Sequence, residues 1–135
     1  MLSFVDANVF IRLFSGDDEM QAAAAERLFR RAAAGEIELV TGPPVFFEIA
    51  WVLGYRYKLK NEEIISVIEA IVAFPGLTVT DKKSVLRAAA LARAADSGFA
   101  DAYIAAAAEE AGAENIATFN KKHFAQLGKD TADGL

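Results

Sequence analysis

The chain has 135 residues, 54% of them hydrophobic, which predicts one compact domain spanning residues 1–135. It has no cysteine and one histidine, His123, which excludes disulfides, cysteine nucleophiles and multi-histidine zinc sites and fits a reducing cytoplasm. The net charge of −5 argues against non-specific binding of nucleic acid by the whole surface, so any RNA contact must be local.

Other cofactor and membrane classes are excluded by motif. The nine glycines are scattered singly, so there is no G-x-G-x-x-G or Walker loop, and we expect no nucleotide cofactor. No basic stretch precedes the first apolar residues, so we expect no signal peptide. Glu48 and Asp101 interrupt the longest apolar tracts, which argues against a membrane span. If the protein is an enzyme, its catalysis must use carboxylates, amides, hydroxyls and a hard cation such as Mg²⁺ or Mn²⁺.

Short apolar runs alternate with helical patterns along the chain. Strands are predicted over residues 2–5, 37–40, 77–79 and 115–119, and the tail 129–135 is a candidate for one more short edge strand. Helices are predicted over residues 7–14, 17–34, 45–57, 61–74, 80–95, 99–111 and 121–127. Because parallel strands need crossover connections, this order predicts an α/β fold, a three-layer α/β/α sandwich around a mainly parallel sheet of four to five strands.

Three acidic residues lie in apolar sequence surroundings. Asp6 follows the first strand, Glu48 lies inside an apolar helix, and Asp101 lies in the first turn of another helix. Burying an ionised carboxylate costs several kcal/mol unless a cation or hydrogen bonds compensate it, so we expect the three to share a divalent metal ion. Asp6 and Asn120 each follow a predicted strand, and ligands of open parallel sheets bind at that edge.

Each acid also has an ordinary structural interpretation. Asp6 and Asn120 are both suited to cap the helices that follow them. Glu48 would need a buried ion pair with an unidentified base, and Asp101 would be stabilised by the helix dipole. His123, one turn beyond Asn120, is either a packing residue or a member of the same edge.

Basic residues fall into short clusters that are most often solvated surfaces. The segment holding Arg56, Lys58 and Lys60, with an interleaved Tyr57, is the best candidate for contact with nucleic acid. The aromatic side chains near Glu48, including Trp51, are expected in the core or in an interface.

Four segments, taken in chain order, resemble the PIN-domain family, in particular its VapC-type toxin ribonucleases. They are Phe4-Val5-Asp6-Ala7-Asn8-Val9, the mid-chain Glu48, residues 98–105 around Asp101, and Ala117-Thr118-Phe119-Asn120-Lys121-Lys122-His123-Phe124. The resemblance implies Mg²⁺- or Mn²⁺-dependent cleavage of RNA, with Asp6, Glu48 and Asp101 as the core acids. It also implies a homodimer silenced by a cognate antitoxin.

The remaining residues of these motifs take supporting roles by the same resemblance. Asn8 matches the amide beside the first acid, and Thr118 stands in the last motif. Lys121 and Lys122 join the candidate RNA contacts. PIN domains usually carry a fourth acid where Asn120 or His123 stands, so a second metal ion is expected to bind weakly here.

Two readings from other classes stay open. A phosphoacceptor receiver domain shares the size and an acidic Mg²⁺ site, but it needs paired acids after its first strand and a lysine after its last, and neither is evident. A catalytically weak or silent PIN-like module would use its apolar residues between Val45 and Phe74 to bind a partner protein.

Overall fold

Three short parallel strands form the sheet in a computed structural model that describes residues 1–135. They are β1 (Leu2–Phe4), β2 (Glu38–Thr41) and β3 (Leu77–Val79), in the order β1-β2-β3. Phe4 lies opposite Val40, and Val40 lies opposite Thr78. Both pairings are parallel, so all three strands end at the same edge of the sheet.

Seven helices connect and flank these strands. They are α1 (Ala7–Ser15), α2 (Glu19–Ala33), α3 (Pro43–Tyr55), α4 (Asn61–Val72), α5 (Lys82–Ala95), α6 (Phe99–Glu110) and α7 (Lys121–Gln126). Local chemistry explains several of their starts: Asp18 caps α2 by accepting from Gln21 N at 3.0 Å, and two prolines occupy the first turn of α3. No helix combines the length and the apolar character that a membrane crossing requires.

A continuous apolar core joins the helices to the sheet. The predicted apolar face of α4 is confirmed, because Ile64, Ile65, Ile68 and Ile71 are all buried. Helices α5 and α6 contact each other through small side chains, and Ala88, Ala92, Ala102 and Ala105 are fully buried. Alanine lets two helix backbones approach closely, which explains why this alanine-rich stretch still packs tightly.

The predicted fold class, an α/β fold with a parallel sheet flanked by helices, is confirmed. The sheet nevertheless has three strands, because the strand predicted over residues 115–119 does not form. Only Ile116 pairs there, in one parallel bridge to Thr131. Phe119 is 87% exposed, and Ile116 is the one residue of this segment that packs against the core, which is too little apolar contact to hold a strand in the sheet.

Candidate active site

The carboxyl ends of the strands are held together at one edge of the sheet. Thr41 Oγ1 donates a hydrogen bond of 3.0 Å to Val5 O, and Thr41 is the only fully buried polar residue. Gly42 lies against Thr80, where a Cβ on Gly42 would clash with Thr80 Oγ1. The residues that follow β1, β2 and β3 therefore converge on a single rim.

Asp6 leaves β1 at this rim and begins α1. Its backbone is extended (φ −81°, ψ 161°), and its Oδ1 accepts a hydrogen bond of 2.7 Å from Ala7 N. The capping role considered from sequence is thus real. Asp6 is exposed and forms no ion pair, so capping does not bury its charge.

Glu48 lies on the outer surface of α3. The expectation that this carboxylate is buried among apolar neighbours is wrong, because Glu48 is exposed and has no basic partner. The side of α3 that faces the core carries Val45, Phe46, Ile49 and Leu53 instead. Glu48 is the only charged residue of α3, and its charge is fully available to a ligand.

Asp101 is paired with His123. Its Oδ2 lies 3.2 Å from His123 Nδ1, and its side chain is 33% exposed. Asp101 is the third residue of α6, where the unpaired amides of the first helical turn favour a negative charge. The histidine predicted as a possible member of the edge therefore contacts one of the three acids.

Aromatic packing brings the helix of Glu48 to the helix of Asp101. The Phe47 ring lies 5.8 Å from that of Phe99 and 5.0 Å from that of Tyr103 in α6, between centroids. Phe47 immediately precedes Glu48, and Phe99 lies two residues before Asp101. The structure thus places these two acids on helices in direct contact.

Thr118 and Asn120, from the last of the motifs, lie in the turn before α7. Thr118 Oγ1 accepts a hydrogen bond of 2.9 Å from Asn120 N and so shapes the turn that leads into α7. Asn120 stands at the N-cap position, yet its side chain makes no capping hydrogen bond and is exposed. The predicted N-cap position of Asn120 is confirmed, but without the expected capping hydrogen bond its amide is available for another role.

The acids do not assemble a formed metal centre. No group of three acidic or histidine side chains converges closely enough to hold one ion. The oxygen donors of Asp6, Glu48 and Asp101 suit Mg²⁺ or Mn²⁺ by chemical type, but their placement in this structure does not fit one. Asn8 is also set apart, because it lines a groove of about 340 Å³ between α1 and α2 together with Arg12 and Gln21.

Sequence reasoning missed one acid at the rim. Asp81 follows β3 much as Asp6 follows β1, and it adopts a left-handed backbone (φ 51°) before α5. Burial raises the pKa of Tyr103, and the negative charge of Asp81 raises this pKa further. The signal in the sequence was its position directly after a strand, which was interpreted only as the start of a helix.

The candidate RNA contacts lie in two places. Arg56, Lys58 and Lys60 follow α3 and are exposed, while Lys121 and Lys122 open α7 beside His123. None of the five forms an ion pair within the chain. Their positive charges are therefore available to an anionic ligand.

The three-stranded parallel sheet flanked by helices defines a class, an α/β domain with acids at the carboxyl ends of its strands and on the adjoining helices. The sequence profile described as PIN domain matches residues 3–130, and the chain belongs to the PIN domain family. PIN domains are typically metal-dependent nucleases that act on nucleic acid. Among curated proteins, none matches this chain. Membership in this family excludes the alternative of a phosphoacceptor receiver domain.

Proposed function

We propose that the protein is a divalent-metal-dependent endoribonuclease, a hydrolase of RNA phosphodiester bonds, with Asp6, Glu48 and Asp101 as its catalytic acids. The observation that carries this proposal is the arrangement around Phe47. The only charged residue of α3, Glu48, is held on the helix that packs against the first turns of α6, where Asp101 lies. Asp6 joins them from the strand edge.

The metal requirement rests on the family and on the chemical type of the donors. Carboxylate oxygens are the ligands that Mg²⁺ and Mn²⁺ prefer in proteins. Asn8, Thr118, Asn120 and His123 are proposed as supporting residues around the acids. Of these, His123 has a direct contact with an acid, namely Asp101.

A narrower role is also proposed. We infer that the chain is the toxin of a toxin–antitoxin pair, a VapC-type ribonuclease that works in the cytoplasm as a single-domain homodimer. Its apolar content supports a protein interface, because large side chains such as Leu86 and Ile104 stay exposed. A cognate antitoxin is proposed to cover the helices between Val45 and Phe74.

Cleavage of a mixed RNA pool across Mg²⁺ and Mn²⁺ titrations tests this function. We expect discrete cleavage products that disappear in excess chelator and in the Asp101→Asn variant. Cleavage that persists unchanged in Asp101→Asn would point to a contaminating nuclease. Absence of cleavage at every metal concentration, on RNA that the protein demonstrably binds, would contradict the enzymatic proposal.

One observation favours a second candidate, a weak or silent PIN-like binding module. The acids do not converge into a metal centre, and Asn120 and His123 occupy the positions where a fourth acid is usual. Such a module would bind RNA or a partner protein with the same affinity in chelator and in Mg²⁺. Isothermal titration calorimetry with each cation separates the two candidates, because only the enzyme needs to bind the ion.

A further inference from the structure

Two aromatic rings are stacked on the outside of α3. The rings of Trp51 and Tyr55 are nearly parallel, with an interplanar angle of 14° and centroids 4.8 Å apart. Both side chains are exposed, Trp51 by 63% and Tyr55 by 66%. Sequence reasoning expected Trp51 in the core or in an interface, and the core is excluded.

This aromatic pair continues the stripe that carries Glu48. The exposed residues of α3 are Pro44, Glu48, Trp51 and Tyr55, which recur at the spacing of one helical face. Trp51 lies three residues beyond Glu48, about 4.5 Å along the helix axis. The stacked rings are therefore immediate neighbours of the proposed catalytic carboxylate.

Positive charge borders the rings. Lys58 Nζ lies over the Tyr55 ring, 5.0 Å from its centroid, and Arg56 lies over the Tyr57 ring at 5.9 Å. Lys58 reaches this position from a left-handed backbone (φ 57°), a conformation that is unfavourable for a lysine by roughly 1–2 kcal/mol. In a chain of net charge −5, this is a local basic area beside exposed aromatic faces.

We propose that the outer face of Trp51, backed by the stacked Tyr55 ring, is a stacking platform for a base of single-stranded RNA, with Lys58 contacting the phosphate backbone. The proposal rests on the ribonuclease function proposed above and names how its substrate is held. Stacking of a base on an aromatic side chain tolerates any sequence, because every base has a π face. The platform would position a strand beside Glu48 without reading its sequence.

The antitoxin proposed above would cover α3 only in the inhibited complex, and in the free protein charge favours RNA over another protein segment as the occupant. An apolar protein interface excludes charges from its centre, whereas here Lys58 lies directly over one of the two rings. An aromatic surface bordered by unpaired cations is the arrangement found in channels that bind single strands. A protein occupant is instead one of the outcomes of the test.

Trp51 is the only tryptophan, so its fluorescence reports directly on the platform. The full chain is titrated, in excess chelator, with a short single-stranded RNA of mixed sequence and with the same RNA annealed to its complement. We expect the single strand to quench Trp51 emission and the duplex, whose base faces are covered, to quench it much less. The titration is repeated with Asp101→Asn, which keeps the platform but lacks a proposed catalytic acid.

Variants are compared through the anisotropy of a labelled copy of the same RNA. Trp51→Ala should raise Kd roughly fivefold to a hundredfold, the range expected from the loss of one stacked base. Tyr55→Ala removes the ring that backs Trp51 and should raise Kd less. Lys58→Asn removes the charge with a residue that tolerates the left-handed backbone, and it should weaken binding most at low salt. Met20→Ala and Lys83→Gln, an exposed apolar and an exposed basic residue elsewhere, are the matched controls and should bind as wild type does.

The outcomes separate this inference from the proposed function. Quenching and the variant losses without any cleavage would support the platform and count against the enzyme. Cleavage with no quenching, or with Trp51→Ala binding RNA as tightly as Met20→Ala, would overturn the platform. Loss of self-association in Trp51→Ala with unchanged RNA binding would also overturn it and assign these rings to a protein interface.

Discussion

His123 Nδ1 lies 3.2 Å from Asp101 Oδ2, and this contact ties the short helix α7 to the first turn of α6. The histidine stands in the segment where PIN domains usually carry a fourth acid. Its contact with Asp101 means that the segment still reaches the acidic site, although it brings a nitrogen rather than a carboxylate oxygen. This exchange of donor underlies the metal preference predicted below.

Removing any of the three acids should abolish cleavage without unfolding the chain. We expect Asp6→Asn, Glu48→Gln and Asp101→Asn each to lose activity in the RNA assay. Asp6→Asn keeps a side-chain oxygen that caps α1, and Glu48 is exposed, so circular dichroism melts should stay within about 1 kcal/mol of wild type. Glu114→Gln, an exposed acid outside the site, is the control. Wild-type cleavage in all three variants would remove the acids from the mechanism.

A carboxylate at position 120 should strengthen activity in Mg²⁺. Asn120 is exposed and its side chain makes no capping bond, so Asn120→Asp adds charge without breaking a contact. Wild type should cut better in Mn²⁺ than in Mg²⁺, since a first-row metal accepts nitrogen donors more readily, and the variant should narrow that difference. Identical rates for both proteins across a full Mg²⁺ titration would show that position 120 does not limit metal binding.

Self-association is expected from the exposed apolar side chains. Light scattering at tens of micromolar should give the mass of a dimer, because mean hydropathy is +0.24 and several large apolar residues remain uncovered. In a complex with the antitoxin, hydrogen exchange should slow between residues 45 and 74. A strictly monomeric species without any inhibitory partner would contradict both expectations.

Gly76 should be far less tolerant of substitution than Gly112. Both have a left-handed backbone, with φ of +80° and +71°, but only at Gly76 would a Cβ clash, with the backbone carbonyl of Ala32. Gly112→Ala should lose about 1–2 kcal/mol of unfolding free energy from backbone strain alone. Gly76→Ala should lose roughly 1–3 kcal/mol more from the clash. Equal losses in urea denaturation would show that α2 does not press on this turn.

Acid should weaken the attachment of α5 and the tail to α6. Two hydrogen bonds from Arg87 and one from Lys129 lower the pKa of Glu109 to about 2, from an ordinary value of 4.5. Because the folded-state pKa is the lower one, this stabilisation is present above about pH 4.5 and is lost as the pH falls toward 2.

The matching experiment follows stability against pH. Glu109→Gln should lose about 1 kcal/mol or less at neutral pH, since the group is at the surface, and should flatten the decline in stability below pH 4.5. Glu110→Gln, the neighbouring residue without an ion pair, should decline as wild type does. Chemical denaturation at several pH values measures both curves.

Local sequence patterns were sufficient to predict the helices and the three strands of the sheet. The spacing of the isoleucines predicts the buried face of α4, and the two prolines predict the start of α3. The segment 115–119 does not, because a strand of that length depends on a distant partner, and its only partner is Thr131. Pairing between strands that are distant in sequence depends on tertiary contacts, which the spacing of apolar residues within one segment does not predict.

The site was predicted by residue type but not by environment. Glu48 was expected to be buried because it lies inside an apolar helix, whereas in α3 both Glu48 and Trp51 face the solvent. A large aromatic residue does not by itself tell core from surface. The contact between Asp101 and His123 could not be predicted from local sequence either, because the two residues are 22 positions apart.

The position of β1 at the end of the β1-β2-β3 order has a consequence for handling the protein. One side of this strand has no partner, and Leu2 and Phe4 within it are exposed. An unpaired strand edge flanked by apolar side chains is a template on which other extended chains assemble. Fusion partners that carry exposed strands are therefore best attached away from residue 1.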